Sequence, residues 1–258
     1  MVSVEGGIKM GKLLKYELRK SLGVKGVVLV ISCIFELLFL IGLYSSKETL
    51  IPIGITLLYF DAFISVVVMG IASIRLLHND LNTKQSYMLF MTPNSSYKIL
   101  GAKVIESFMS ILIAGVFFTS LGFLDFTLLI AQNGGFKEAF DFIYTAYQKI
   151  FEIEINPSDV ISVIALLLIS WFYFITVAYL AQVISATFLN GRKFNGIISF
   201  FIGLAIIILE EYAVNNFVSI SATGSVINHN IIQGVVYLTL AGITYAVTAW
   251  IMDNKLSV

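Results

Sequence analysis

The sequence predicts an all-α membrane protein with six transmembrane helices, an N-terminal amphipathic helix on the membrane surface, and a short cytoplasmic helix between spans two and three. Of its 258 residues, 58% are hydrophobic and only 12% are charged, whereas soluble domains carry roughly 25% charged residues. Six apolar segments reach the roughly 20 residues needed to cross a bilayer core. They are Val24–Tyr44, Leu50–Leu76, Val104–Ala131, Val160–Leu189, Phe194–Val218 and Ile231–Met252.

Lysine and arginine predict the orientation, because cytoplasmic loops carry an excess of both. Of the 16 basic residues, only Lys47, Lys137 and Lys149 fall on the predicted outer side. Both termini are therefore expected in the cytoplasm, with residues 1–258 forming one transmembrane domain. Spans one to three occupy residues 24–131 and spans four to six occupy residues 160–252. Residues 132–159 form the long outer loop, whose aromatic residues fit either an amphipathic helix on the outer leaflet or a solvated loop.

The segment before span one has the pattern of an interfacial helix over residues 11–22. Leu14, Leu18 and Leu22 recur at helical spacing, and basic side chains occupy much of the remaining surface. Such a helix suits the cytoplasmic interface, where anionic lipids attract lysine. The alternative is that these are ordinary flanking charges of a membrane span.

Several function classes are excluded by composition. A net charge of zero gives no basis for binding nucleic acid. The one cysteine, Cys33, excludes an intrachain disulfide and a cysteine-based metal cage. Residues Gly6–Lys12 spell GxxxxGK, but Leu13 follows where a phosphate-binding loop needs Ser or Thr, and no α/β domain surrounds it. We therefore expect this chain to bind no cofactor or metal and to hydrolyse no nucleotide.

Acidic residues inside the spans need a physical reason, because an ionised side chain at the bilayer centre costs at least ~2.5–3.5 kcal/mol. Glu36 and Asp61 are predicted near mid-depth, whereas Glu106 and Asp125 are predicted at solvated span ends. Two interpretations of the deep carboxyls remain open. They line a substrate or ion path, or they are neutral and hydrogen-bonded to a neighbouring helix.

Glu210 and Glu211 form a further acidic pair towards the end of span five. Tyr212, Asn215 and Asn216 follow them. This polar run predicts a broken or re-entrant helical segment near the outer face, which is tolerated only where protein or water surrounds it. Together with Glu36 and Asp61, the pair is the predicted substrate path.

The polar segment between spans two and three predicts a short helix on the cytoplasmic surface. Asn79 and Asp80 can cap a helix start. Thr92-Pro93 ends that helix, because the residue before proline avoids the helical region. A second helix then begins at residues 94–96 and continues into span three. An element held between two spans can transmit a push from a soluble partner.

At these residues the chain resembles the permease subunits of export-type ATP-binding-cassette transporters, in particular peptide and bacteriocin exporters of Gram-positive bacteria. Residues Thr92–Lys103 read T-P-x-S-x-x-K-I-x-x-x-K. The resemblance implies a bacterial plasma-membrane protein that pairs with a second permease chain as a homodimer. It also implies a separate cytoplasmic ATPase subunit that binds ATP and Mg, and a hydrophobic or amphipathic cargo such as a peptide. The residues expected to couple to that ATPase are Asn79, Asp80, Lys84, Gln85, Tyr87, Phe90 and Pro93.

Two other classes compete with this interpretation. An ion-extruding permease or a secondary carrier would also use deep carboxyls, and the carrier would need no ATPase. An intramembrane protease is a remote alternative, since Glu210-Glu211 resembles the paired glutamates of prenyl-protein proteases. Those enzymes need an arginine where this chain has Asn215, and His78 and His229 are predicted on opposite membrane faces. The chain is therefore expected to be a non-catalytic transport subunit.

Overall fold

The structure is a computed structural model that describes residues 10–45, 50–82, 95–133, 156–189, 195–221 and 226–255. It contains six helices, each long and apolar enough to cross a membrane, and no strand within those ranges. The prediction of an all-α protein with six membrane-spanning helices is confirmed. The helices are α1 Met10–Tyr44, α2 Leu50–Asn82, α3 Ser96–Asn133, α4 Pro157–Leu189, α5 Asn195–Ser221 and α6 Val226–Lys255.

The N-terminal segment is the first part of α1 rather than a separate interfacial helix. No break separates residues 11–22 from the apolar span, although Gly23 and Gly26 follow. One face of this segment is buried against the rest of the first unit. Leu13, Glu17 and Ser21 are buried, whereas Leu22 is 58% exposed. Glu17 is buried because it pairs with Lys103 of α3, and contact of the leucine stripe with the membrane surface stays a prediction.

The polar end of span two likewise continues as helix. Asn79 and Asp80 were predicted to begin a new helix, but they lie in the last turns of α2. That prediction was wrong because the Asp80 carboxylate binds two lysines instead of capping backbone N–H groups. Long helices can project beyond the hydrocarbon core in this way.

The run around Glu210 is helical throughout. The predicted broken or re-entrant segment was wrong as far as Ser221, since α5 continues unbroken from Asn195 to Ser221, and residues 222–225 of the predicted segment lie outside the described residues. A continuous helix satisfies its backbone groups internally, which the bilayer favours. Within this run, Glu210 and Glu211 are accommodated by tyrosine partners on neighbouring helices rather than by unwinding of the backbone.

The described chain forms two compact units. The first unit includes residues 10–23, 69–82 and 95–109 together with α4, α5 and α6. Its core has one cluster around Leu77, Leu100 and Tyr179 and another around Tyr173 and Tyr237. The first cluster packs α2, α3, α4 and α6 together, and the second packs α4, α5 and α6.

The second unit includes residues 24–45, 50–68 and 110–133. Within it α1 and α2 approach closely at Gly54. A Cβ atom added there would lie 2.7 Å from the Phe39 Cα atom. Phe39 itself is fully buried. Gly54 therefore permits a backbone approach that any larger residue would obstruct, as small residues do at membrane helix interfaces.

Candidate functional site

A buried ion network joins α1, α2 and α3 in the first unit. The Lys103 Nζ atom donates to Glu17 Oε1 at 2.8 Å and also to Asp80 Oδ2. Asp80 Oδ1 in turn accepts from Lys20 Nζ at 2.5 Å. Lys103 is 0% exposed and Glu17 2% exposed. Two ammonium groups and two carboxylates are thus arranged alternately from three helices.

The two positive and two negative charges of this network balance, so breaking it is costly. Removing one member of a buried ion pair leaves an uncompensated charge and costs about 3–5 kcal/mol. Lys103 contributes most, since it bridges Glu17 of α1 and Asp80 of α2 and is itself shielded from solvent. A movement of the α2 end or the α3 start must therefore carry α1 with it or break the network.

Further contacts fix the first turn of α3. The backbone N–H of Ser96 donates to Asp253 Oδ1 of α6 at 3.3 Å. A carboxylate at this position suits the positive end of the helix dipole. The Tyr245 hydroxyl, also from α6, donates to the Tyr97 carbonyl at 2.6 Å. The start of α3 is thereby attached to α6 as well as to the ion network.

The end of α2 is attached to α4 in a similar way. The Tyr179 hydroxyl donates to the Ser73 carbonyl at 3.2 Å, and Gln182 Nε2 donates to the Ile74 carbonyl at 2.9 Å. Both donors come from α4, and Tyr179 is fully buried. The two points at which residues 83–94 join the described chain, the end of α2 and the start of α3, are therefore both anchored in the first unit.

The predicted coupling residues are only partly described. Asp80 lies in the ion network, and Asn79 is exposed beside it. The others, Lys84, Gln85, Tyr87, Phe90 and Pro93, lie outside the described residues, as does most of the predicted outer loop.

Sequence reasoning missed the partners of Asp80, which are Glu17, Lys20 and Lys103. An available signal was the single acid at position 17 in an otherwise basic helix. Glu106 is also fully buried, so its predicted position at a solvated span end was wrong.

Glu210 and Glu211 are held by a stacked pair of tyrosines. The Tyr173 hydroxyl donates to Glu210 Oε2 and the Tyr237 hydroxyl donates to Glu211 Oε1, each at 2.7 Å. The two rings stack with centroids 4.9 Å apart. Because Tyr173 is the middle residue of α4, this site lies near the centre of that helix. The predicted position near the outer face stays a prediction.

The tyrosine–glutamate site has further polar capacity. Gln233 Nε2 donates to the Tyr237 hydroxyl at 2.9 Å, which leaves that hydroxyl free to donate to Glu211. Each glutamate is half-buried. A carboxylate can accept several hydrogen bonds, so both can accept a donor or a proton beyond the bonds they already make. Chemically, the site can hold a proton or a donor-bearing group inside the helical bundle.

Asp61 and Glu36 lie in the second unit, each with its own partner. The Ser32 hydroxyl of α1 donates to Asp61 Oδ2 of α2. Ser32 is fully buried and Asp61 is 5% exposed. Asp61 is thus hydrogen-bonded to a neighbouring helix, and its place on a substrate path stays a prediction. The Ser32 hydroxyl also lies 3.0 Å from the Val28 carbonyl of its own helix.

Glu36 is hydrogen-bonded to Asp125 of α3. Two carboxyl groups can hydrogen-bond to each other only if one carries a proton, since an ionised carboxylate is an acceptor alone. This pair explains how two acids tolerate an apolar environment without a basic residue. Asp125 was predicted at a solvated end, but it is bonded to another span. The four predicted substrate-path residues therefore divide between the two units.

No group of His, Cys, Asp and Glu in the described ranges has the arrangement of a metal site. His78 lies near the end of α2, and His229 lies in the first turn of α6. The described helices thus bring no metal-ligating set to Glu210 and Glu211. A comparison with protein-family models, curated proteins and solved structures finds no match for this chain. Function must therefore be argued from the two sites themselves.

Proposed function

We propose that this chain is the membrane subunit of an ATP-driven exporter, in which residues 83–94 receive a push from a separate ATPase subunit. The observation that supports this proposal is the ion network of Glu17, Lys20, Asp80 and Lys103. It lies within about two helical turns of both attachment points of that segment and joins three helices. The resemblance of Thr92–Lys103 to exporter permeases supports the same role.

The coupling would work through short, stiff connections. Asp80 precedes the end of α2 by two residues, and Lys103 lies about two helical turns, ~12 Å, after Ser95. A displacement of residues 83–94 therefore acts directly on the two helix turns that contain Asp80 and Lys103. Glu17 extends the displacement to α1. The ATPase subunit would supply ATP, Mg and the hydrolysis step, while this chain would move the helices that carry cargo.

The orientation in this proposal follows from charge, and its membrane, subunits and cargo follow from the resemblance. The side of the protein that carries most of its lysines and arginines faces the cytoplasm, because positive residues are retained on that side. Both termini lie on this side. The membrane is the bacterial plasma membrane, and the functional unit is a homodimer of this chain with two ATPase subunits. The cargo is hydrophobic or amphipathic, and a peptide fits the resemblance.

The deciding experiment is co-purification of this chain with a candidate ATPase, followed by transport in proteoliposomes. Tyr87→Ala and Phe90→Ala should weaken ATPase binding or uncouple hydrolysis from transport. Tyr212→Ala is the matched control, since Tyr212 is 73% exposed on α5. Unchanged binding and transport in both test variants would remove the coupling role from this segment.

A proton- or cation-linked carrier is the second candidate. The observation that favours it is the pair of tyrosine–glutamate contacts at the middle of α4, where a carboxylate with spare acceptor capacity could bind a cation. Such a carrier would need no ATPase. Uptake or extrusion driven by an imposed ion gradient in vesicles that contain this chain alone would establish it, whereas a strict requirement for the ATPase would exclude it.

A further inference from the structure

A groove in the first unit lies between α2, α4 and α5. Its volume is about 560 Å³, within the range of small-molecule sites in proteins. Most of the groove wall is apolar. The apolar side chains that form it are Ile71, Ile74, Phe174, Ala178, Ala181, Phe200, Leu204, Ile207 and Ile208. None of these residues belongs to the ion network or to the tyrosine–glutamate site. The groove is therefore a separate feature of the molecule.

The groove has the length of a single leaflet. Its α5 wall runs from Gly196 to Ile208, which corresponds to ~18 Å of helix at 1.5 Å per residue. Half of a bilayer core is about 15 Å. The groove floor is narrowed where Gly203 faces Ala181, because a Cβ atom added to Gly203 would lie 3.3 Å from the Ala181 Cβ atom. An extended acyl chain matches this long, narrow, apolar shape.

One end of the groove is polar and cationic. Arg75, His78, Gln182 and Ser199 line it, next to the last turns of α2. Arg75 is exposed and forms no salt bridge with any residue that the structure describes. An arginine guanidinium presents paired N–H donors that match a phosphate group. The cationic end therefore complements an anionic headgroup at the depth where a lipid phosphate would lie.

We propose that this groove is a binding site for one anionic phospholipid. The lipid belongs to the leaflet on the side of the protein that carries most of its lysines and arginines. Arg75 binds the phosphate, and an acyl chain lies along α5 from Gly196 to Ile208. Apolar contact alone does not select this ligand, because the surrounding lipid tails are equally apolar. The headgroup charge gives the selectivity. The proposal stands independently of any ATPase or transported cargo.

Native mass spectrometry of the full chain tests the site. The chain is released from nanodiscs that contain equal amounts of phosphatidylglycerol and phosphatidylcholine. The wild-type chain should retain one phosphatidylglycerol in preference to phosphatidylcholine. Arg75→Gln should reduce that preference about fivefold, the effect expected of one arginine at an anionic surface. Arg19→Gln is the matched control, because Arg19 is exposed on α1 and does not line the groove.

A second variant tests the apolar half of the groove. Ala178→Trp should fill it and reduce retention of both lipids, while a monodisperse elution profile and an unchanged melting temperature would show that the variant folds. Equal retention of the two lipids by the wild-type chain would overturn the proposal. So would an Arg75→Gln variant that behaves like wild type, a retained peptide in place of lipid, or displacement of the lipid by glycerol phosphate alone.

Discussion

Lys103 of α3 lies 2.8 Å from the Glu17 carboxylate of α1, and both side chains are shielded from solvent. Glu17 lies 86 residues away in the chain, in a segment that resembles a membrane-surface anchor. The bond makes that segment part of the first unit. A lysine counted for the predicted orientation thus also acts as a packing contact between helices.

Loss of the Lys103 ammonium should destabilise the chain. We expect Lys103→Met to lower the free energy of unfolding by about 3–5 kcal/mol, because Glu17 and part of Asp80 would remain buried without their partner. Lys98→Met is the control on the same helix, since Lys98 is exposed, and it should change stability by less than about 0.5 kcal/mol. Denaturant unfolding in detergent micelles measures both.

The paired variant Glu17→Gln with Lys103→Met distinguishes charge balance from packing. It leaves Asp80 and Lys20 as a balanced pair, so it should recover part of the stability lost in Lys103→Met alone. Equal loss in the single and paired variants would show that Glu17 carries no penalty as an unpaired charge once Lys103 is removed.

The predicted spans match the six helices because a bilayer imposes their length and apolar character locally. The partners of Asp80, Glu36 and Glu210 could not be predicted, because they depend on helix rotation and on which spans are neighbours. A hydrogen bond to a hydroxyl was one of the arrangements expected for Asp61, and Ser32 provides it. The continuous helix through Glu210 was not predicted. A run of polar residues inside a span indicates a break in the helix unless the tyrosines that bind them are known.

Gly54 should be intolerant of any side chain. Gly54→Ala would bring a Cβ atom to 2.7 Å from the Phe39 backbone, and relief of that overlap must shift α1 or α2. We expect destabilisation of about 1–3 kcal/mol, typical of overpacking. Gly115→Ala is the control, because no atom lies within 4 Å of its added Cβ. Gly115→Ala should be neutral or stabilising by up to about 1 kcal/mol, as measured by thermal unfolding.

We expect the Ser32–Asp61 hydrogen bond to contribute to the folding stability of the chain more than to the charge of this site. Ser32→Ala would leave the buried Asp61 oxygen without its hydroxyl partner, at a cost of about 1–3 kcal/mol. Asp61→Asn keeps the shape of the side chain and should insert normally. If Asp61 lies on a substrate path, the Asn variant will alter cargo-stimulated ATP hydrolysis. A normal response together with a destabilised Ser32→Ala variant would assign Asp61 a structural role.

The orientation can be tested by labelling. In a chain with Cys33 replaced by Ala, a cysteine at Lys149 should react with an impermeant thiol reagent added outside intact cells. A cysteine at Lys12, which is exposed near the start of α1, should react only after the membrane is permeabilised. The reverse pattern would invert the proposed topology and place residues 83–94 out of reach of any cytoplasmic ATPase.

Variants of the tyrosine–glutamate site distinguish most directly between a structural role and a role in transport. Tyr237→Phe removes the hydroxyl that donates to Glu211 at 2.7 Å and accepts from Gln233, while the ring stack with Tyr173 can remain. We expect a stability loss of about 1–3 kcal/mol, since a half-buried carboxyl and an amide each lose a partner. Tyr212→Phe, on an exposed ring of the neighbouring α5 turn, should have no effect. If the carboxylates bind a cation during transport, Glu211→Gln will abolish transport while its amide still accepts the Tyr237 hydrogen bond and preserves stability. Transport at the wild-type rate in Glu211→Gln would instead make the two tyrosine contacts a device for packing α4, α5 and α6 around buried acids.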